Sequence, residues 1–270
     1  TTKSEKKEMC PIYKYVDIKT ALDGLYDVKL IEYSSDKDLS CTPYDVVIVE
    51  TRSNHVIQHL RCTSSIDTSE CDYTMAFNFD KRKVKELSVR TPKLYSLSEI
   101  NDYDYYFVKP VFSENSIGID NNSICHGRNE VLNQIAKIKS SLGLECMVEQ
   151  FISGIDVTVG VINDNGYHVG AVKLITNTVD NILTKDVKDF DKEIYEKTLD
   201  PLLFDTAVKV FEEIKAKHYI RIDMRIEENT GIPYVLEINL YPGLAKNGYM
   251  SHCYPCYKDM LIHIINSAKV

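Results

Sequence analysis

The chain has 270 residues, 44% hydrophobic and 27% charged, with a formal net charge of −8. This is the composition of a globular protein with a core of its own, and its acidic balance argues against nucleic acid as the main partner, because phosphate-backbone binding needs a basic surface. No apolar stretch reaches the length of a membrane span and the polar start Thr1–Glu8 is no signal peptide, so a cytoplasmic protein without a membrane partner is expected.

Residues 1–79 carry the signals of a small α/β lobe with a parallel sheet: a helical candidate around Ile18–Leu25, an apolar strand Val28–Ile31 and a stronger one at Asp45–Val49. Ser, Thr, Asp and Cys crowd Thr63–Asp72, which reads as loop. Residues 81–88 read as helix, ending before the extended pair Thr91-Pro92. From Tyr105 the pattern is strand, loop, helix, strand. Asn129 is the expected N-cap of a helix burying Val131, Leu132, Ile135 and Ile138 and closing at Gly143.

Strands follow at Cys146–Phe151, Val157–Ile162 and Tyr167–Ile175, the last two joined by the hairpin signal Asn163-Asp-Asn-Gly166. Thr176–Lys197 is polar, rich in Asp and Lys, and reads as a mobile loop. Asp205 is the expected cap of a helix through Ala216 with Val208, Phe211 and Ile214 inward, and Met260, Leu261, Ile264, Ile265 and Ala268 mark a last amphipathic helix. The eight cysteines are scattered and read as free thiols, and Cys253-Tyr-Pro-Cys256 lacks a second pair to complete a zinc site.

The chemistry concentrates near the C-terminus. Tyr219–Glu227 alternates apolar with polar residues, Tyr234-Val-Leu leads up to Glu237, and Glu228-Asn-Thr-Gly231 between them is a turn signal. Residues two apart on a strand share a face, so Arg221, Asp223 and Arg225 point together, as do Glu237 and Asn239. Pairing the strands brings Asp223, Glu237 and Asn239 into one patch of oxygen donors flanked by guanidinium, a set suited to Mg²⁺ (or Mn²⁺) holding nucleotide phosphates. Taken alone, such a hairpin is more often a solvated face with cross-strand ion pairs than a metal site.

Arg221-x-Asp223 followed by Glu237-x-Asn239-x-x-Pro242-Gly243 resembles the metal motif of ATP-grasp enzymes, most closely the D-alanine–D-alanine ligase branch. Three further segments fit that family in order: Asp80-Lys81; Phe107-Val-Lys109-Pro110 with Ser113-Glu-Asn-Ser116-Ile-Gly118-Ile; and Met147-Val-Glu149-Gln-Phe-Ile152-Ser-Gly154-Ile-Asp156. The resemblance covers roughly residues 80–245. It implies an α/β ATP-grasp fold with an N-terminal α/β lobe over 1–79, a small ATP-grasp lobe over 80–149 and a large lobe carrying the metal site over 150–270.

It further implies ATP and Mg²⁺ as cofactors, with Lys81, Lys109, Ser116, Gly118, Glu149, Ile152 and Asp156 at the nucleotide, and Asp223, Glu237 and Asn239 on the metal. Arg221 and Lys109 would act on the transferring group. Lys173, alone in an apolar run, reads either as snorkelling or as phosphate-facing. Nothing in 1–79 matches the family's Gly-Gly-x-Ser-x-Glu, and Ser251-His252 falls several residues later than the family's Ser-His-Ser. The implied activity is a carboxylate–amine ligase acting through an acyl phosphate on small molecules such as amino acids or small peptides, more readily than a D-alanine–D-alanine ligase proper. An ATP-grasp kinase and a non-catalytic nucleotide-binding regulator are the rivals, and a homodimer is left open.

Overall fold

The structure is a computed structural model that describes residues 16–30, 45–49, 66–113, 115–190 and 192–269. Helix α1 (Val16–Leu22) covers most of the helical candidate, and Val28–Leu30 carries no regular structure, with Ile31 outside the described residues. Strand β1 (Val46–Val47) pairs in parallel with β2 (Ile66–Asp67), a strand inside the stretch read as loop. Helix α2 (Asp72–Phe79) begins where that loop was expected to end. A 3-10 helix follows over Lys81–Glu86, its first turn capped by the Asp80 carboxylate, which accepts from Arg82 N at 2.9 Å.

Strands β3 (Leu94–Tyr95), β4 (Tyr105–Pro110), β5 (Ile124–His126) and β6 (Cys146–Gln150) form an antiparallel sheet in the order β3-β6-β4-β5. Helix α3 (Gly127–Leu142) covers it, packing Val131 and Ile138 on Tyr106, Val108 and Val148. The helix starts two residues before Asn129, with His126 at the N-cap position, its amide held by Glu130 Oε2 at 2.8 Å. It closes at Gly143 in the left-handed conformation, as predicted.

The larger sheet runs β11-β10-β7-β8-β9, from β7 (Gly154–Asn163), β8 (Tyr167–Ile175), β9 (Ile194–Thr198), β10 (Tyr219–Glu227) and β11 (Pro233–Asn239), all antiparallel. The supposed loop 176–197 thus contributes the short helix α4 (Lys185–Asp189) and most of edge strand β9. Helix α5 (Pro201–Glu213) is capped by Asp200, with Pro201 at its first position, and not by Asp205. Phe211 and Ile214 are buried as predicted, joined on the same side by Leu203, Ala207 and Val210, while Val208 is half-buried.

That stripe packs on Val157, Val159, Ile220, Ile222 and Met224, with Met75, Phe77, Val84 and Leu87 joining the same core. Each such side chain taken fully out of water contributes about 1.5–3 kcal/mol. Helices α6 (Tyr249–Cys253) and α7 (Tyr257–Ser267) complete the chain, α7 packing with α1 around Leu261, Ile264 and Leu22. Among the described residues no helix is long and apolar enough to cross a membrane.

Candidate active site

Strand parity decides what the space between the two larger sheets contains. In the four-stranded sheet Tyr106 and Val108 face α3, so Phe107, Lys109 and Glu149 face the other way. In the five-stranded sheet the helix-facing Val157 and Met224 alternate with Asp156, Thr158, Asp223 and Arg225. The cavity between these two faces is lined by Lys109, Glu149 and Ile152 on one side and by Asp156, Thr158, Asp223 and Glu237 on the other. Ser116 and Ile119 from the loop after β4, and Leu183 and Lys188 from the segment after β8, border it as well. The two covering segments are joined, since Ile119 O accepts from Lys185 N at 3.1 Å.

Asp223 lies opposite Glu237 and Arg221 opposite Asn239, as the alternation predicts. The ladder then slips: Met224 faces Val235, so Leu236 is an extra residue in β11. The bulge lets Val235 point into the helix-facing core while Leu236 and Glu237 both line the cavity. Asp223 accepts from Arg221 Nε at 3.0 Å and Nη2 at 2.8 Å, from Thr158 Oγ1 at 2.5 Å and from Asn239 Nδ2 at 3.1 Å.

Glu237 lies 3.6 Å from Lys81 Nζ, which also donates to Ser113 O at 2.5 Å and Ser113 Oγ at 3.0 Å. Lys81 therefore ties the loop after β4 to the acidic patch. Burial would raise the Glu237 carboxyl, but Lys81, Lys188 and Arg221 outweigh it and hold that group well below the usual carboxylate range. Burial draws Lys81 and Lys188 down against the pull of Glu237.

Lys188 is a site residue the sequence reading missed. It sits on α4 within a polar stretch that shows no strand or helix period, and its single legible signal is the local abundance of lysine. Lys173, which the sequence leaves as either snorkelling or phosphate-facing, points away from the cavity, a correction to its place among the nucleotide contacts. Asp156 pairs with Leu174, both at the cavity; Lys173, one residue along, projects to the opposite face, where its Nζ meets Glu196 at 3.8 Å.

Glu149 is 1% exposed and held from two sides. Its Oε2 lies 2.7 Å from Lys109 Nζ, and its Oε1 contacts Lys85, a second lysine missed in the sequence. Burial pushes the Glu149 carboxyl up, yet Lys109 and Lys85 together bring it below its ordinary value. Asp156 Oδ1 accepts from Arg225 Nη1 at 2.7 Å and its Oδ2 from Leu183 N at 3.2 Å. Arg225, which the motifs left without a role, also donates to Ile152 O at 2.5 Å and to Asp180 O, so one buried guanidinium links the strand end, Asp156 and the segment after β8.

Ser116 lines the cavity at 8% exposure. Gly118 does not line it. Its φ of +78° and the 2.7 Å from a built Cβ to Pro110 Cγ show that it shapes the loop. A pair of glycines sets a close approach elsewhere: Gly160 and Gly170 lie side by side, and a Cβ on Gly170 would stand 2.2 Å from Cys253 O. Their bareness lets α6 lie on the sheet, which brings the Tyr249 ring to 5.4 Å from the Arg221 guanidinium. Cys253 is buried there, and burial pushes its thiol up to about 12, which keeps that thiol protonated. Ser251 Oγ donates to Ala245 O at 2.7 Å, and His252 stacks on Tyr195 at 3.8 Å between ring centroids.

Comparison with known proteins agrees with this architecture. A family model described as D-ala D-ala ligase C-terminus matches residues 85–255, more than half of the chain. D-alanine–D-alanine ligase B from Clostridium perfringens is 26% identical over 184 residues, covering 62% of this chain and 58% of the relative. The chain thus spans little more than half the length of that relative. Among solved structures, D-alanine–D-alanine ligase from Bacillus anthracis superposes with a TM-score of 0.69 at 17% identity, covering 96% of this chain and 92% of that one. A structure of the Bacillus anthracis ligase complexed with ATP gives a TM-score of 0.61 at 18% identity over 83% of this chain and 79% of that one. On its matched residues and its ATP-grasp fold, the chain belongs to the D-alanine–D-alanine ligase C-terminal family.

Proposed function

We propose that this chain is an ATP-dependent ligase that joins a carboxylate to an amine through an acyl phosphate, with ADP and phosphate as products. The observation that carries this reading is the facing of two charged surfaces across one cavity. Asp223, Glu237 and Arg221 with Lys81 and Lys188 stand on one side, and Lys109 beside the Glu149–Ile152 strand end on the other. The family and the ATP-bound neighbour support ATP as the nucleotide. In this reading the segments 80–149 and 150–270 act as the small and large lobes about the nucleotide, with 1–79 as a lobe of its own.

The donor set suits Mg²⁺. Asp223 and Glu237 are register partners, the three cations near Glu237 keep it ionised, and Asn239 adds an amide oxygen beside them. Bound there, the metal would supply Lewis-acid neutralisation of the phosphate oxygens. The adenine would lie against the chain from Glu149 to Ile152, and Asp156, already oriented by Arg225, would accept from the ribose hydroxyls. Lys81, Lys109 and Lys188 would meet the phosphates as point charges, while Ser116 and the loop shaped by Gly118 close over them.

The substrate carboxylate attacks the γ-phosphorus, ADP leaves, and the amine then attacks the acyl carbon. Arg221 would stabilise the oxyanion of the tetrahedral intermediate, after which phosphate departs and the amine loses its proton. Hydroxylamine tests the sequence of steps. With ATP, Mg²⁺ and a panel of amino acids, a hydroxamate is expected to accumulate, and Arg221→Ala is expected to suppress it. A stable phosphorylated alcohol with no hydroxamate and no phosphate release would establish the kinase reaction instead.

A further inference from the structure

Beyond the nucleotide cavity, one acid next to the reaction centre is incompletely satisfied. Glu193, immediately before β9, is 8% exposed. Its Oε1 accepts from Tyr249 Oη at 2.7 Å and from Tyr195 Oη at 2.9 Å. Its Oε2 is shut off from solvent and has no hydrogen-bond partner among the described residues. A buried carboxylate oxygen without a donor is costly to fold around, which marks a place where a donor arrives from elsewhere.

Its surroundings say what kind of donor. The Tyr249 ring lies 5.4 Å from the Arg221 guanidinium and 5.5 Å from Lys188 Nζ, so Glu193 stands one aromatic ring from the acidic patch. Burial and the Glu193 carboxylate push the Tyr249 phenol up, which keeps it a donor. Tyr195, the other donor to Oε1, is itself stacked on His252 at 3.8 Å between ring centroids. A carboxylate that takes both phenol donors on one oxygen has the other left for a protonated amine, whose N–H groups would donate to Oε2.

We propose that Glu193 is the anchor for the α-ammonium group of an amino-acid substrate, held by Oε2 on the Tyr249 side of Arg221. The inference rests on the ligase reading for the nature of the ligand, and what it adds is the residue that holds the ammonium group. A purely structural Glu193, present to hold two tyrosines, makes a different prediction. Gln at this position keeps a carbonyl oxygen for both phenols and removes the charge that an ammonium needs.

Binding to the 270-residue chain is measured by titration calorimetry, comparing D-alanine and L-alanine with propionate, and glycine with acetate. In the wild-type protein at least one amino acid is expected to bind on the order of 10- to 100-fold more tightly than its deamino counterpart, as a charge-assisted hydrogen bond provides. In Glu193→Gln that preference is expected to fall to about unity. A wild-type chain that binds no amino acid more tightly than its deamino counterpart, or a preference unchanged in Glu193→Gln, overturns the proposal. Should circular dichroism show that Glu193→Gln does not fold, Tyr249→Phe carries the test: it removes one donor from Oε1, leaves the charge and Oε2, and is expected to retain the preference, whose loss overturns the proposal. Phosphate release is recorded separately; an ammonium preference that Glu193→Gln abolishes, in a chain that releases no phosphate, refutes the ligase reading and leaves the amine site standing.

Discussion

Replacing Glu149 by Gln exposes how much of this fold depends on charge held out of water. The Glu149 side chain is 2% exposed and its oxygens meet Lys85 and Lys109, whose side chains are 13% and 6% exposed. Gln preserves the shape and removes the charge, leaving two ammonium groups facing each other. At an effective dielectric of about 20, unit charges about 4 Å apart interact by about 4 kcal/mol. Breaking a buried pair costs about 3–5 kcal/mol, and here two attractions are lost while one repulsion stays, so the loss is expected at about 5 kcal/mol near pH 7.

The pH dependence has a definite sign. Burial already lowers Lys85, and without the Glu149 charge it releases its proton at still lower pH. The unfolded chain then binds more protons than the folded one, so the stability of the variant rises with pH. The penalty should shrink between about pH 7 and pH 9.5, by up to about 1.4 kcal/mol per pH unit for one proton. Urea unfolding followed by circular dichroism at both pH values measures this, and adding Lys85→Met should recover about half of the loss. A loss under about 1 kcal/mol at neutral pH, the range of an exposed ion pair, or a loss indifferent to pH, refutes the reasoning.

Four further substitutions follow from the cavity and the loop that covers it. Glu237→Gln is expected to lower kcat on the order of 10²- to 10³-fold at saturating Mg²⁺, the effect of losing one positioned charge, and near-normal turnover would remove Glu237 from the metal set. Lys188→Met should raise the KM for ATP about tenfold or more while Lys173→Met leaves it unchanged, and steady-state kinetics showing the reverse would restore Lys173 to the phosphates. Gly118→Ala should cost about 1–3 kcal/mol in urea unfolding, because a Cβ would meet Pro110 at 2.7 Å on a backbone with φ of +78°, and a loss below about 0.5 kcal/mol would show that the loop relaxes freely.

Much of the architecture was legible because its strands are long and periodic. The alternation in Tyr219–Glu227 placed Arg221, Asp223 and Arg225 on one face, and Asn163-Asp-Asn-Gly166 fixed the turn between β7 and β8. Lys173 failed on parity: an isolated lysine in an apolar run says that a strand is present, but only the register with Asp156 says which face the lysine takes. Lys188, Glu193 and β9 were hidden for another reason. An edge strand with most of its residues exposed or half-buried shows no hydrophobic period, and α4 is a short helix held by tertiary contacts, so composition spoke only of a loop. Helix α2 was missed because Thr63–Asp72 was read as loop and no element was assigned to the residues just after it. The ion pairs Lys85–Glu149 and Arg225–Asp156 join residues 64 and 69 positions apart and leave no local trace.

The extra residue in β11 makes the metal patch a matter of counting. A β-strand is a two-state code in which odd and even positions take opposite sides, and Leu236 inserts one silent character into it. Upstream of it, Val235 obeys the parity of the core; downstream, Glu237 and Asn239 obey that of the cavity. Closing the bulge with Leu236 kept as a ladder position of its own would set the two halves in conflict: either Glu237 and Asn239 turn into the apolar layer beneath α5, or Pro233–Val235 are drawn out of it; deleting Leu236 instead leaves Val235 and Glu237 as successive positions on opposite faces. The strand can therefore lose Leu236 and keep both of its faces, whereas one residue added or removed within the regular ladder on either side inverts the message of everything beyond it.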